Sequence, residues 1–362
     1  MAEDLKEGKS VVLVFPDSAV AQGVADAVLI DLSHETAYAE YCRQSGDPFP
    51  TRVLDTFGAD TDTYRRYDSW NAIAGWRDWQ GAWVVIPGWE HDDVEEIVQR
   101  WPAQAHASGL TADAQPKLVI GARLCDVPRT VLAHLDPSLT AVHWWWGVLD
   151  RLDTEIRLAA VPGCRLNPVE AAVITELACW DLACVDFLAR HWDRTTAGAP
   201  AAVESYRRAV PAPVSGGPPS VTRRHSTAPP VDLEHEWRDG LVDRWGHTLR
   251  NAPATLDDKA ITQRLWMAHN RVLVPHIDEE RAEYEQRIRR KASSRALADV
   301  RRRDDDVIEI GSLAWLVDTG RVDLGRDHRR RLSAFRVLRN QLAHRVPVND
   351  RLLAGIMAYL EF

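Results

Sequence analysis

Near the C-terminus the sequence runs Leu338-Arg339-Asn340-Gln341-Leu342-Ala343-His344, which sets a guanidinium, an amide and an imidazole within about one and a half helical turns. The three groups can act as an anion clamp, an orienting group and a proton-transfer group without any metal or cofactor. Cleavage of RNA through its own 2′-hydroxyl needs that combination.

The spacing predicts how a helix would present them. Asn340 and His344 are four apart and share a face. Arg339 lies roughly 140° around the axis from His344, but its long stem can swing the guanidinium toward that edge. Leu332, Phe335, Leu338 and Leu342 make a separate apolar stripe for burial. Pro347 biases Val346 away from helix, so the helix over Asp327 to His344 should stop close to the histidine. Arg329, Arg330, Arg331 and Arg336 on this helix, with Arg345 beyond it, are the expected RNA-binding residues.

These residues resemble the ribonuclease motif of the HEPN superfamily, in which Arg and a polar residue are followed by three further residues and His. Arg339, Asn340 and His344 match it one for one, with Leu342-Ala343 before the histidine. The run Val307-Ile308-Glu309-Ile310-Gly311-Ser312-Leu313-Ala314-Trp315-Leu316 is similar as well, and the resemblance covers about the last hundred residues. It implies a homodimer with Arg and His facing across a shared cleft. It also implies metal-independent endoribonuclease chemistry of the kind found in bacterial toxin–antitoxin and antiviral defence modules. Arginine followed five residues later by histidine occurs four times, at Arg129/His134, Arg264/His269, Arg271/His276 and Arg339/His344. Only the last has an amide directly after the arginine.

Charge distribution bears on the same question. The chain of 362 residues carries a net charge of −9, yet Arg281 to Arg351 holds 18 basic and 11 acidic residues, a net of +7. A basic end on an acidic body suits a phosphate-bearing substrate and a protein partner. Five cysteines without a CxxC pair give no zinc or disulfide framework. Cys179 and Cys184 are expected to be buried thiols. The N-terminus shows no signal or transit signature and no apolar run approaches a membrane span, so the expected location is cytoplasmic.

The elements that must position these residues divide in two. Residues 1–194 read as an α/β domain with a helical extension. Apolar strands are expected at Val11 to Phe15, Trp83 to Ile86, Leu118 to Gly121 and Ala141 to Trp146, with helices between them and so a parallel sheet. This order is weakly similar to a P-loop ATPase core of the AAA+ or STAND type. Pro16-Asp17-Ser18-Ala19-Val20-Ala21 follows the first strand, with neither glycines nor lysine to hold phosphate. Glu90 and Asp92-Asp93 can mimic a metal-binding acid, although acids at a helix start more often serve as caps. The domain is therefore read as a sensor or docking unit, either a nucleotide-free relic or an unrelated sheet, open to an ATPase or antitoxin partner.

A helical run from Asn167 to Trp192 is expected to pack on the sheet or form a lid. Residues 195–231, rich in Pro, Gly and Ser, read as a linker with a short helix near Ala202 to Ala209. Residues 232–362 read as an all-α bundle, with helices at Leu233 to Leu249 and Leu256 to Val274, a break or kink at Pro275, a charged run from Ile277 to Arg303, then Val307 to Leu316, the motif helix and Arg351 to Leu360. Its expected core is Trp266, Leu273, Ile310, Leu313, Leu316, Phe335, Leu338 and Ile356. A competing function is a non-catalytic adaptor whose bundle dimerises and whose first domain docks onto an ATPase-containing complex.

Overall fold

Five short strands pair side by side in a computed structural model that describes residues 1–34, 39–42, 46–210, 227–300 and 307–360. They are β1 (Ser10–Val14), β2 (Ala39–Tyr41), β3 (Trp83–Pro87), β4 (Lys117–Ala122) and β5 (Thr140–Trp144). Every pairing is parallel and the order is β2-β3-β4-β1-β5. The register sets Val12 against Ile120 on one side and Val142 on the other. Near-continuous Val, Leu and Ile runs are what a strand buried on both faces requires.

Alternation along the strands sorts the core into two layers. Val12, Val14, Val84, Ile86, Leu118 and Ile120 pack with the helix Val94–Ala107 and an aromatic cluster. In that cluster Trp79 stacks on Trp101 at 4.4 Å and Phe49 on Trp70 at 4.7 Å. Val11, Val85 and Val119 face the opposite way, onto Phe15, Ala25 and Leu29, the last two carried by the helix Val24–His34. Burial thus accounts for Trp70, Trp76, Trp79 and Trp101 as packing residues.

Two expectations about this region are corrected. Leu233 to Leu249 is not a helix. A turn at Val231–Leu233 and the five-residue helix Glu234–Arg238 are followed by strands Val242–Trp245 and Thr248–Asn251 around Gly246-His247. Gly240 and Gly246, at φ 72° and 61°, bend the chain where a helix cannot continue. Trp237 is buried in the core that packs one face of the sheet, and its Nε1 donates to the Trp145 carbonyl at 3.0 Å. The residues up to Leu249 therefore group with Met1–Val148.

The second correction concerns the Asn167 to Trp192 run. It forms the helices Pro168–Ala178 and Leu182–His191, and these group with the helices of the second unit, sharing a core with them. Ala172, Val173 and Leu177 meet Ile261, Leu265 and Ala268 of the helix Asp258–Arg289. An apolar face declares that it must be buried, but not against which partner. Residues 149–210 and 250–360 accordingly form the second compact unit. The helix Ala199–Ala209 also belongs here, while the Pro/Gly/Ser-rich stretch 211–226 lies outside the described residues.

Pro275 does not end a helix. Asp258–Arg289 runs unbroken for 32 residues, roughly 48 Å. A proline removes one backbone hydrogen bond, but burial holds both halves of this helix. Ile261, Leu265 and Ala268 pack before the proline, and Ile277, Tyr284 and Ile288 after it. The second half packs with the helices Ile310–Asp318, Arg326–Ala343 and Asp350–Met357. Leu273, Ile310, Leu313, Leu316, Phe335, Leu338 and Ile356 are buried as expected, and Trp266 is half-buried at their edge. Arg301, Arg302 and Arg303 lie outside the described residues.

Candidate active site

The apolar stripe of the Arg326–Ala343 helix is almost wholly removed from solvent: Leu332, Phe335, Leu338 and Leu342 are at most 2% exposed. That fixes the rotation of the helix and therefore which residues face outward. Arg339, Asn340 and His344 are all exposed. Asn340 and His344 lie on one helix face, and the His344 N–H donates to the Asn340 carbonyl at 3.1 Å. The Arg339 guanidinium lies 3.4 Å from the carboxylate of Glu309, which precedes the helix Ile310–Asp318. No hydrogen bond joins the three side chains to one another among the described residues. An exposed ion pair of that length contributes well under about 1 kcal/mol, so the guanidinium can exchange Glu309 for a phosphate.

The end of the helix is built with more constraint than its sequence suggests. His344 is the C-cap, and Arg345 takes the left-handed conformation at φ 57°. The Arg345 N–H reaches the Leu342 carbonyl at 3.0 Å and the Val346 N–H reaches the Gln341 carbonyl at 3.2 Å. This is the Schellman pattern, normally completed by glycine. The helix stop therefore comes from the turn at Arg345 as well as from Pro347. A Cβ in this conformation costs roughly 1–2 kcal/mol, partly offset in glycine by chain entropy. Arg345→Gly is expected to leave stability equal or higher by up to about 1 kcal/mol in urea unfolding. A clear loss would show that the arginine contributes packing that outweighs the strain.

Two elements clamp this turn from other parts of the unit. Trp266 Nε1 donates to the Leu342 carbonyl at 2.8 Å, and the Arg345 guanidinium sits 5.9 Å from the Trp266 ring. The Gln341 amide donates to the Pro347 carbonyl at 2.6 Å. The Val348 N–H donates to Nδ1 of buried His269 at 2.9 Å, and Thr196 Oγ1 donates to the Val348 carbonyl at 3.0 Å. Burial pushes the His269 imidazole down to about 4, against a small opposing pull from Asp350. None of these anchors carries a sequence signature.

The arginines expected to hold RNA fall into different environments. Arg331 donates through Nε to Glu280 at 2.8 Å and through a second N–H to the same carboxylate, and it lies over the Tyr359 ring at 5.4 Å. Glu280 is buried, and the Glu280 hydrogen bond raises the proton affinity of Arg331. Arg329 pairs with Asp323 at 2.5 Å and Arg336 with Asp318 at 2.8 Å. Arg330 and Arg345 are exposed. Removing Arg331 would strand a buried carboxylate, so Arg331→Ala is expected to cost about 2 kcal/mol of stability, whereas Arg330→Ala should cost almost none. Chemical denaturation of the two variants decides this, and equal, small effects would argue against a structural role for Arg331.

In the rival Arg/His pairs the fold engages every member but Arg271, which is exposed. Buried Arg264 donates to the Leu177 and Asn251 carbonyls at 2.8 and 2.6 Å, and His269 is the anchor just described. His276 pairs with Glu279 at 3.2 Å on its own helix. Arg129 bonds Glu234 at 2.9 Å and the Pro229 carbonyl at 3.0 Å, and His134 meets the Thr130 carbonyl.

In the sheet unit, the crevice beyond the carboxyl ends of parallel strands is where such folds take ligands. At β1 and β5 it holds the protein's own Arg238 and Trp237. Arg238 donates to Asp17 at 2.9 Å, and a Cβ on Gly240 would stand 2.5 Å from Ser18 Oγ. One guanidinium nitrogen of buried Arg52 donates to both carboxylate oxygens of Asp93, at 2.8 and 2.6 Å, so this acid is a partner within the fold. An open groove of about 670 Å³ lies between the Val94–Ala107 and Arg129–His134 helices, lined by Val98, Pro102, Val131, Leu135, His134 and Asp136. Among the described residues no group of His, Cys, Asp and Glu is arranged to hold a metal ion, and no helix is long and apolar enough to cross a membrane. Cys179 and Cys184 are buried. No protein-family model matches this chain, and neither a curated protein nor a solved structure matches it.

Proposed function

We propose that the helical unit is a HEPN-type endoribonuclease that works as a homodimer and cleaves RNA through the ribose 2′-hydroxyl without a metal. The observation that carries this reading is the exposed Arg339, Asn340 and His344 set at the end of a helix whose rotation and termination are both fixed by burial and by side-chain anchors. Reactive groups held by locked supporting shells are what catalysis requires.

In the proposed reaction His344 of one copy takes the 2′-hydroxyl proton as O2′ attacks phosphorus. The P–O5′ bond breaks, and the 5′-oxygen receives a proton from His344 of the partner subunit. Arg339 stabilises the charge on the non-bridging oxygens, and Asn340 orients the phosphate or the imidazole. The products are a 2′,3′-cyclic phosphate and a 5′-hydroxyl. One imidazole cannot supply both proton transfers in the same step, which is the chemical argument for two copies. Exposed Val337 lies on the Asn340 and His344 face, and exposed Val346 follows the turn. Apolar area beside polar reactive groups suits a surface that a second copy covers. Arg330 and Arg345 are the arginines assigned to the RNA backbone, and Arg331 is assigned to the fold.

A mixing experiment tests the shared site. His344→Ala protein is mixed with the parent under subunit exchange and assayed on RNA in EDTA. A rate that falls with the square of the parent fraction supports a site that needs His344 of both copies, and a fall in simple proportion to the parent fraction, despite heterodimer formation, argues against it.

The second reading, a non-catalytic adaptor, has the apolar groove and the self-filled carboxyl edge of the sheet unit in its favour. Both features suit a sensor or docking role toward an ATPase or antitoxin, and the two readings are compatible in one chain. Toxin or antiviral activity follows from the family resemblance alone.

A further inference from the structure

His269 sits eleven residues into the Asp258–Arg289 helix, 1% exposed, 75 positions before His344 in the sequence. Its Nδ1 accepts the Val348 N–H, so the ring proton must reside on Nε2 and the imidazole must be neutral. The charged groups around it are accounted for. Asp350 is the carboxylate whose charge acts on it, and it accepts the N–H groups of Thr196 and Ala197 at 2.6 and 3.3 Å. On its own helix Arg264 is spent on the Leu177 and Asn251 carbonyls, and Arg271 is exposed.

Val348 is held at both backbone groups, the N–H by His269 and the carbonyl by Thr196, and its side chain is fully buried. Leu342 is held by Trp266. Only residues 343–347 lie between these two anchors, and they carry His344 and Arg345. The downstream anchor thus decides whether the turn is a fixed arc or a tether attached at one end.

We propose that His269 is a positioning residue: by holding the Val348 N–H it fixes the turn that presents His344 and Arg345 to the scissile phosphate. This role rests on the ribonuclease reading, and it adds an anchor to that reading that makes no contact with RNA. Misplacing a catalytic group by about 1 Å costs on the order of 10²-fold in rate, so release of the turn should act on kcat more than on substrate binding, to which Arg345 adds one contact of several.

The test uses the full chain with three variants. In His269→Asn the side-chain oxygen takes the place of Nδ1, in His269→Gln it falls near the Nε2 position instead, and His269→Leu removes the acceptor. The readouts are hydrogen exchange at the Val348 amide, the order of the His344 ring signals by NMR, and kcat and KM on RNA. The Leu and Gln variants should lose Val348 protection, broaden or multiply the His344 signals and lower kcat by roughly 10–100-fold, with a smaller rise in KM because Arg345 moves with the turn. The Asn variant should stay within about threefold of the parent in kcat. If Asn and Gln behave alike, or if Leu keeps Val348 protected and kcat intact, the proposal is overturned. Should the Leu protein not fold, the Asn/Gln contrast decides alone. If the parent cuts no RNA at all, the ribonuclease reading fails by itself, and the exchange and NMR readouts still decide whether His269 fixes His344.

Discussion

His344→Ala is expected to lower RNA cleavage by on the order of 10³-fold while leaving the fold intact, because one positioned general acid or base contributes about 10²–10⁴-fold. The loss should exceed the single-transfer value if both copies depend on the same residue, one imidazole removing a proton and the other delivering one. His344 is exposed, and among the described residues no hydrogen bond or ion pair of its side chain is seen, so truncation costs almost no stability. Thermal unfolding should shift by no more than a degree or two. Cleavage rates of purified parent and variant, read beside their unfolding curves, separate chemistry from misfolding. A variant that cuts at the parental rate would remove His344 from the reaction.

The second large effect concerns acid. Folded His269 titrates near 4, whereas the unfolded side chain titrates near 6.5. Between those values the unfolded chain binds a proton that the folded chain refuses. Stability therefore rises with pH across this window: the contribution is fully present above about 6.5 and is lost as pH falls through about 4. A full shift of that size corresponds to roughly 3 kcal/mol. The Val348 anchor should open only as pH falls to about 4, where the folded imidazole takes up a proton on Nδ1 and can no longer accept the Val348 N–H. Urea unfolding at pH 7.5, 6, 5 and 4, run in parallel for the parent and His269→Asn, isolates the contribution. The asparagine protein should show a flatter profile, and parallel profiles for the two proteins would mean that another group governs acid sensitivity.

The pattern of what could be read from sequence follows the range of the forces involved. The strands at Val11, Trp83 and Leu118 were legible because a strand buried on both faces must be a continuous apolar run, while the half-buried edge strand at Ala141 was legible from its short apolar and aromatic run. The edge strand Ala39–Tyr41 is three residues long, half-buried to exposed, and carries no such run. Leu241, Val242 and Trp245 have spacings a helix would also tolerate, so the bends at Gly240 and Gly246 decided between helix and strand. Pro275 reads as a stop in isolation, yet packing on both sides of it carries the helix through.

The site divides along the same line. The motif helix, its apolar stripe and the outward placement of Asn340 and His344 were legible from period and spacing. Its anchors were not. Trp266, His269 and Thr196 reach the turn from 76, 79 and 152 positions away, and Glu280 reaches Arg331 from 51. A sequence pattern records which groups sit on one face, and long-range hydrogen bonds leave no period in it. Arg331 shows the consequence: composition groups it with Arg330 as a cation for RNA, and only the buried carboxylate opposite separates their roles.

The account turns on an imidazole taking a proton from a 2′-hydroxyl. Its most direct test is cleavage, in EDTA, of an RNA carrying a single 2′-deoxy nucleotide at an otherwise cut linkage. The parent protein should cut the all-ribose strand to a 2′,3′-cyclic phosphate and a 5′-hydroxyl and spare the deoxy linkage, while His344→Ala cuts neither. Cutting of the deoxy linkage by the parent, or undiminished cutting of RNA by the variant, would contradict it.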